Sequence, residues 1–424
     1  MIRYVGLDVH KEFIEVCVVD RKGKILTRGR VDCRREELLR FATKELRKTD
    51  RVALEATTNT WPVVDILRPH VAQVVVGNPL KTKAIAEAKV KTDKVDAEVL
   101  AQLLRCEYLP DVWQPDATTQ VQRSLLTHRT GLMCQRARHK NRIRCILNRL
   151  LLEVPCRCLW TKTGLAWLRK LELLPTDRLM LDSELRQLQS VEQELIVVDQ
   201  QLVEISRKEP LVQLLMTLPG VNYVVALGLL SAIGDVTRFQ DGDHLASYLG
   251  LVPITRQSAN KCYHGRITKA GNPQVRWLLT QACQHVSRHP GPLGAFFRRL
   301  AKRKPRHVAL MALARKLVTV AYLVLKHNEP YRYARPELMA EKFTELRDKY
   351  LPAEQRGQQP RLRPSARNGL SAVYQQVGLP QVRSPEQLPP GERRMLDNHL
   401  LTDFVHGLHN PSAPKPARSS TKKR

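Results

Sequence analysis

The sequence predicts an α/β domain at the N-terminus, then a linker of long helices, then an all-α domain. Three observations carry this. Short apolar runs bounded by turns dominate residues 2–77. Two stretches with helical periodicity follow, at 117–152 and 183–208. From 211 to 300 the apolar residues gather into helical segments joined by short turns. Strands and helices in that order imply a mixed sheet followed by helical packing.

The elements follow in order. IRYVGLDV (2–9) reads as a buried strand, and IEVCVVD and KILTRGRV as a hairpin across the turn RKGK. A helix is expected at 34–48, a strand at RVALEA (51–56), a helix near 61–68 and a strand at VAQVVVG (71–77). KVDAEVLAQLLRC (94–106) is the clearest helix of this part. The first three strands should be antiparallel neighbours. This pattern suits an RNase H-like core over 1–115.

Residues 116–210 read as the linker. The first long helix is basic: RARHKNRIRCILNR (136–149) holds six Arg/Lys and no acid. In the second, Leu188, Val191, Leu195, Val198, Leu202 and Ile205 are spaced 3, 4, 3, 4, 3. That seam fits a coiled coil. It fits equally an amphipathic helix packed on its own domain.

Residues 211–330 read as a helical domain. LVQLLMTLPGVNYVVALGLLSAIGD has the pattern of helix, tight PGVN turn, helix. Such a pair either binds phosphate through helix N-terminal amides or is a plain αα-hairpin. A polar stretch, ITRQSANKCYHGRITKAGN, precedes a helix opened by Asn272 and Pro273. FFRRLAKRKPRHVALMALARK (296–316) has eight Arg/Lys and no acid. Eleven of the 26 prolines lie beyond residue 335, and the last fourteen residues carry five basic residues and no acid. Residues 331–424 therefore read as a Pro-rich basic extension, with short helices at best and partly disordered.

The chain has 424 residues and a formal net charge of +29. Such an excess favours a polyanionic partner, above all nucleic acid. Membrane attachment is disfavoured, because no uninterrupted apolar run is long enough to span a bilayer. No secretory or lipidation signal is visible. The nine cysteines are odd in number and form no CxxC pair. That argues against a zinc ribbon or a disulfide framework and suits a reducing cytoplasm.

Four carboxylates carry the candidate chemistry. Asp8 and Glu55 end buried strands, where a charge is costly unless paired or coordinating. Asp93 and Asp96 open a helix, and a spacing of three puts both on one face. If the two strands are neighbours, all four meet at one sheet edge. Divalent cations would relieve their repulsion, and hard oxygen ligands favour magnesium or manganese. Two such ions suit phosphodiester exchange, and Lys81, Lys83, Lys89, Lys91 and Lys94 would hold the phosphate backbone. Each carboxylate has a bland alternative: a turn for Asp8, an exposed strand end for Glu55, a helix N-cap for Asp93 and a first-turn acid for Asp96. The set in this order favours a site.

GLDVHK (6–11), ALEAT (53–57) and KTDKVDAEVLA (91–101) resemble the N-terminal domain of the DEDD insertion-sequence transposases, which is related to the RuvC Holliday-junction resolvase. LPGVNYVVALGLLSAIGD, LASYLGLVP, QSA and GRITKAGNPQVRWLL resemble the C-terminal transposase domain of the same family. The resemblance covers about residues 1–325 and implies an RNase H-like (RuvC-like) domain, a coiled-coil linker and a helical transposase domain.

It implies Asp8, Glu55, Asp93 and Asp96 as catalytic metal ligands for magnesium or manganese, with two ions. It implies Ser258 as a nucleophile that forms a phosphoserine link to DNA. It implies double-stranded DNA at the element ends and the target as substrate, a guide RNA encoded by the element, and a homo-oligomer, dimer or tetramer, in the bacterial cytoplasm at the nucleoid. The expected nucleic-acid contacts are Arg136, Arg138, Lys140, Arg142 and Arg144, then Arg266 and Lys269, then Arg298, Arg299, Lys302, Arg303 and Lys304. Ala259 follows Ser258 where the family usually has glycine, and Asn222 replaces a common glycine of the turn.

Two alternatives remain. One is a RuvC-like nuclease that cuts without rejoining and needs no Ser258. The other is an inactive nucleic-acid-binding remnant. An actin-like ATPase would need Gly-rich phosphate loops, and none follows GLDVHK.

Overall fold

The computed structural model describes residues 2–85, 92–258, 261–351, 355, 358, 360–363, 369–383 and 387–409. These form two compact units, 1–116 and 117–424.

The first unit is built on a five-stranded sheet. Its strands are β1 (Tyr4–Val9), β2 (Phe13–Val19), β3 (Ile25–Asp32), β4 (Arg51–Glu55) and β5 (Gln73–Gly77), in the order β3-β2-β1-β4-β5. As expected, β1, β2 and β3 are antiparallel neighbours. β4 joins β1 in parallel, and β5 joins β4 in parallel. Alternate residues point to opposite faces of a strand. Val5, Leu7, Val52 and Leu54 pack with α1 (Arg35–Lys44) and α2 (Thr60–Leu67). Tyr4 and Ala53 face the other way and pack with Ala97, Leu100, Ala101 and Leu104 of α4 (Asp93–Arg105). α3 (Pro79–Ile85) lies between β5 and α4 in sequence.

The second unit opens with α5 (Ala117–Arg149), continues through α6 (Lys162–Lys170), and returns along α7 (Pro175–Lys208). α7 begins earlier than the sequence suggested, because Pro175 sits in its first turn. Arg149 pairs with Asp177, Arg142 with Glu184 and Arg129 with Asp199, so α5 and α7 run antiparallel. Val191, Leu195, Val198 and Leu202 are buried with Leu126 and Leu132 of α5. Leu188 is buried with Ile143 and Leu147. The heptad seam is thus filled within this chain, by packing against the antiparallel α5.

Beyond it lie α8 (Pro210–Met216), α9 (Tyr223–Ile233), α10 (Gly242–Tyr248), α11 (Pro273–Val286), α12 (Pro292–Ala301) and α13 (Arg306–His327). Asn222 is not left-handed. Its backbone is extended and its side chain accepts from Val225 N at 3.0 Å, so it caps α9. Leu218 and Val221 of the turn are fully buried, which favours a packed αα-hairpin over a phosphate site. By length and composition α13 could cross a membrane. Here Leu313, Leu317 and Ala321 are buried in the helical core, and Arg315 and Lys316 interrupt the apolar run.

Two features correct the sequence reading. The all-α domain contains a two-stranded ribbon, β6 (Pro253–Ser258) and β7 (Lys261–Ile267). The described residues between 331 and 409 are also not an appendage. α14 (Pro336–Asp348), α15 (Gly369–Val377), α16 (Pro390–Asn398) and α17 (Thr402–His409) pack on the unit. Tyr331, Tyr333, Met339, Phe343 and Tyr374 are buried in its main core. Pro336 and Pro390 open helices rather than break them. The basic end, 410–424, lies outside the described residues.

Candidate active site and nucleic-acid interface

Asp8 and Glu55 arise from the sheet register. Leu7 pairs with Leu54 in the parallel β1–β4 ladder, so Asp8 and Glu55 are the next residues at the carboxyl ends of adjacent strands. Both share the parity of Gly6 and Ala53, and therefore the face covered by α4. Thr92 caps α4, its hydroxyl accepting from Val95 N. Asp93 and Asp96 occupy the first turn, on the side continued by Ala97, Leu100 and Leu104. One carboxylate pair comes from the strands and the other from the helix laid over them.

Asp8, half-buried, is the centre of the cluster. His10 Nε2 lies 3.0 Å from Asp8 Oδ2 and 3.4 Å from Asp93 Oδ2. One ligand atom from each of Asp8, His10 and Asp93 falls within 4.8 Å of the others. Burial raises the Asp8 carboxyl above its ordinary value; His10 opposes this, and the nearby Asp96 and Asp93 charges add to it. The donor set is hard oxygen with one imidazole, at the mouth of a sheet edge. Such a set suits a small divalent cation. The sequence reading missed His10, although its place two residues after Asp8 was a signal. Among the expected lysines, Lys81 and Lys83 belong to α3 and Lys94 to α4. Lys89 and Lys91 lie outside the described residues.

Ser258 is the last residue of β6, opposite Lys261 of β7. It is exposed, as is almost all of the ribbon. Pairing places Ser258, Arg256, Lys261 and Tyr263 on one face, with Thr255, Gln257, Cys262 and His264 on the other. His264 Nδ1 is 3.1 Å from Thr255 Oγ1, and its Nε2 is 3.7 Å from Cys262 Sγ. His264 is therefore turned away from Ser258. Ala259 lies outside the described residues. Arg256 and Lys261 are cations that the sequence reading did not single out.

The basic clusters are only partly available. On α5, Arg142 pairs with Glu184 at 3.1 Å and Lys140 with Glu192 at 3.2 Å. The acid missing from that stretch of sequence is supplied by α7. Arg144 and Lys140 also lie over the Trp160 ring. Arg136 and Arg138 have no carboxylate partner among the described residues. On α12, Arg298 donates to His289 O at 2.9 Å and Pro290 O at 3.2 Å, a structural use. Arg299, Lys302, Arg303 and Lys304 are exposed, as are Arg266 and Lys269.

Comparison with known proteins agrees with this architecture. Residues 5–151 match the family described as Transposase, of the DEDD IS110 type. Residues 212–298 match the Transposase IS116/IS110/IS902 family. A putative transposase of Sinorhizobium fredii is 28% identical over 295 residues, 69% of this chain and 73% of the relative. The transposase for insertion sequence element IS1111A of Coxiella burnetii is 25% identical over 357 residues, 78% of this chain and 92% of the relative. The pilin gene-inverting protein of Moraxella bovis is 27% identical over 339 residues, covering 77% and 97%. The chain is thus a DNA transposase or recombinase in class. It belongs to the DEDD insertion-sequence transposase family. Membership in that family implies use of a divalent metal in general.

Proposed function

We propose that this protein cuts and rejoins DNA at the ends of an insertion sequence by phosphodiester transesterification. Asp8, Glu55, Asp93 and Asp96 hold magnesium or manganese, with two ions. The first unit is read as RNase H-like, which its strand order and single reversed strand β2 support. The observation that carries the proposal is the shared face of Asp8 and Glu55 beneath the acidic first turn of α4.

Bound divalent ions supply charge neutralisation at the attacking and leaving oxygens. The chain does the rest. The carboxylates fix the site on rigid strand ends and a helix start. Ser258 Oγ forms a bond to phosphorus as the strand's P–O bond breaks. The serine proton leaves, and the departing oxygen takes one up. In rejoining, a hydroxyl of the new strand displaces Ser258, so no external energy source is needed. Arg256 and Lys261, on the face of Ser258, attract the phosphate it attacks.

Strand exchange handles several DNA ends, so the protein acts as a dimer or tetramer. A guide RNA encoded by the element, compatible with the +29 charge, selects the DNA partners. Arg136, Arg138, Arg266, Lys269, Arg299, Lys302, Arg303 and Lys304 serve as phosphate contacts in this reading.

The test is covalent trapping. Wild type, Ser258→Ala and Asp8→Ala are incubated with magnesium, RNA from the native locus and DNA carrying the element junction, then run on a denaturing gel. The expected result is a protein–DNA adduct in wild type that is lost in both variants. Metal-dependent cleavage without an adduct, unchanged in Ser258→Ala, would overturn the serine role in favour of a nuclease.

A further inference from the structure

A cavity of about 730 Å³ opens in the second unit between α12, α13, residues 329–333 and α16. It lies outside the carboxylate cluster and the Ser258 ribbon. Its size falls within that of small-ligand sites, about 300–1,000 Å³. Phe296 and Leu323 give it apolar walls. Tyr331 also lines it.

The charges at the rim divide into two groups. Glu392 is bound by Arg332 at 3.0 Å, and Glu329 by Arg332 at 2.6 Å and by Arg383 at 3.7 Å. Those four neutralise each other. Arg299 and Lys316 also line the cavity and have no carboxylate partner among the described residues. Arg299 lies 5.8 Å from the centroid of the Phe296 ring, so one free cation sits beside the aromatic wall. The exposed cations Lys302, Arg303 and Lys304 follow at the end of the same helix.

We propose that this cavity takes one unpaired nucleotide of a nucleic-acid strand. Its base would lie against Phe296 and Leu323, and its phosphate would be held by Arg299 and Lys316. A paired base cannot enter without leaving its stack, which costs least in a single strand. The cavity is thereby selective for unpaired regions. This inference rests on the nucleic-acid partner of the preceding reading, but not on its carboxylates or its serine.

The test uses the full chain and fluorescence anisotropy at fixed salt. The probes are a labelled single-stranded oligonucleotide, a blunt duplex of the same sequence, and a labelled mononucleotide. Leu323→Trp fills the mouth, where Leu323 is 46% exposed. Phe296→Leu removes the aromatic wall but keeps an apolar side chain, and so keeps the test alive should the larger side chain disturb folding. The expected result is a loss of about tenfold in single-strand affinity for Leu323→Trp. For Phe296→Leu the expected loss is about threefold to tenfold. Duplex affinity should stay within about twofold, since phosphate contacts outside the cavity carry it.

Photocrosslinking from a 5-iodouracil base should map to residues 292–299 or 320–333. Loss confined to the mononucleotide would keep the chemistry but overturn the strand as its source. Unchanged single-strand affinity in both variants, or crosslinks elsewhere, would overturn the proposal while leaving the transposase reading standing. Absence of all nucleic-acid binding in wild type would overturn both.

Discussion

Gly6 lies directly beneath the backbone of Ala97. A Cβ on Gly6 would stand 1.9 Å from Ala97 O and 2.6 Å from Ala101 N. Only a residue without a side chain lets α4 approach β1 this closely, and the alanines at 97 and 101 complete the fit. That approach sets the height of the Asp93–Asp96 turn over Asp8. Gly6→Ala should therefore push α4 from the sheet and cost about 1–3 kcal/mol, as overpacking does. Urea unfolding of the full chain measures the loss. Magnesium affinity should fall with it. Unchanged values for both would mean that the helix does not depend on this contact.

The clustering of Asp8 with Asp93 and Asp96 makes a second prediction. Magnesium should raise the thermal midpoint of the wild type, because a ligand that binds only the folded state stabilises it. At one hundred times its dissociation constant the gain is about 2.7 kcal/mol. Asp8→Asn should lose most of that rise, since Asp8 is the member closest to His10 and half-buried among the acids. An equal rise in both proteins, followed by calorimetry, would place the ion elsewhere.

The α5–α7 hairpin offers a third. Arg129 Nε is 2.5 Å from Asp199 Oδ1, and Nη2 is 3.3 Å from Oδ2. Their side chains are only 17% and 12% exposed. Removing one partner strands the other charge, so Asp199→Ala should cost about 3–5 kcal/mol. Replacing both, as Arg129→Met with Asp199→Leu, should recover much of it. Denaturant midpoints of the two variants decide this. A double variant no better than the single would show that the pair is more than a satisfied buried charge.

The legible parts of the chain were those whose residues obey a period. β1, β4 and β5 are short buried apolar runs, and the acids that end β1 and β4 stand out against them. α4 declares itself through Asp93 and Asp96 at its start, although its cap is Thr92 and not Asp93. In the sequence the ribbon β6–β7 is an irregular polar stretch for a physical reason. Its side chains are exposed on both faces, so no alternation of apolar and polar residues reports the strands. The segment after residue 331 was hidden by its prolines. They are read as breakers by composition but act as first-turn residues at α14 and α16. His10 escaped because its role depends on Asp93, 83 positions away, and only the fold brings them within 3.4 Å.

A fourth prediction concerns that same C-terminal segment. Lys342 of α14 donates to Met216 O at 2.6 Å and to Leu218 O and Val221 O at 3.0 Å each. These carbonyls end α8 and form the turn into α9, so one amine from α14 locks the helix pair. Lys342 as a residue is half-buried, and its amine is the end surrounded by these carbonyls. Burial pushes that amine down to about 7 from the ordinary 10.5. Between these values the unfolded chain holds a proton that the folded chain has released, so stability rises with pH across that window. Below about 7 both states carry the proton and the folded state bears the cost of enclosing it. Lys342→Met removes this dependence. The stability difference, wild type minus variant, should therefore increase from about pH 7 toward 10 when urea midpoints are compared. The comparison cancels the other titrating groups common to both proteins. A difference that stays flat over this range would mean that the three carbonyls keep the ammonium charged, and that Lys342 holds the turn as an ion rather than as a neutral amine.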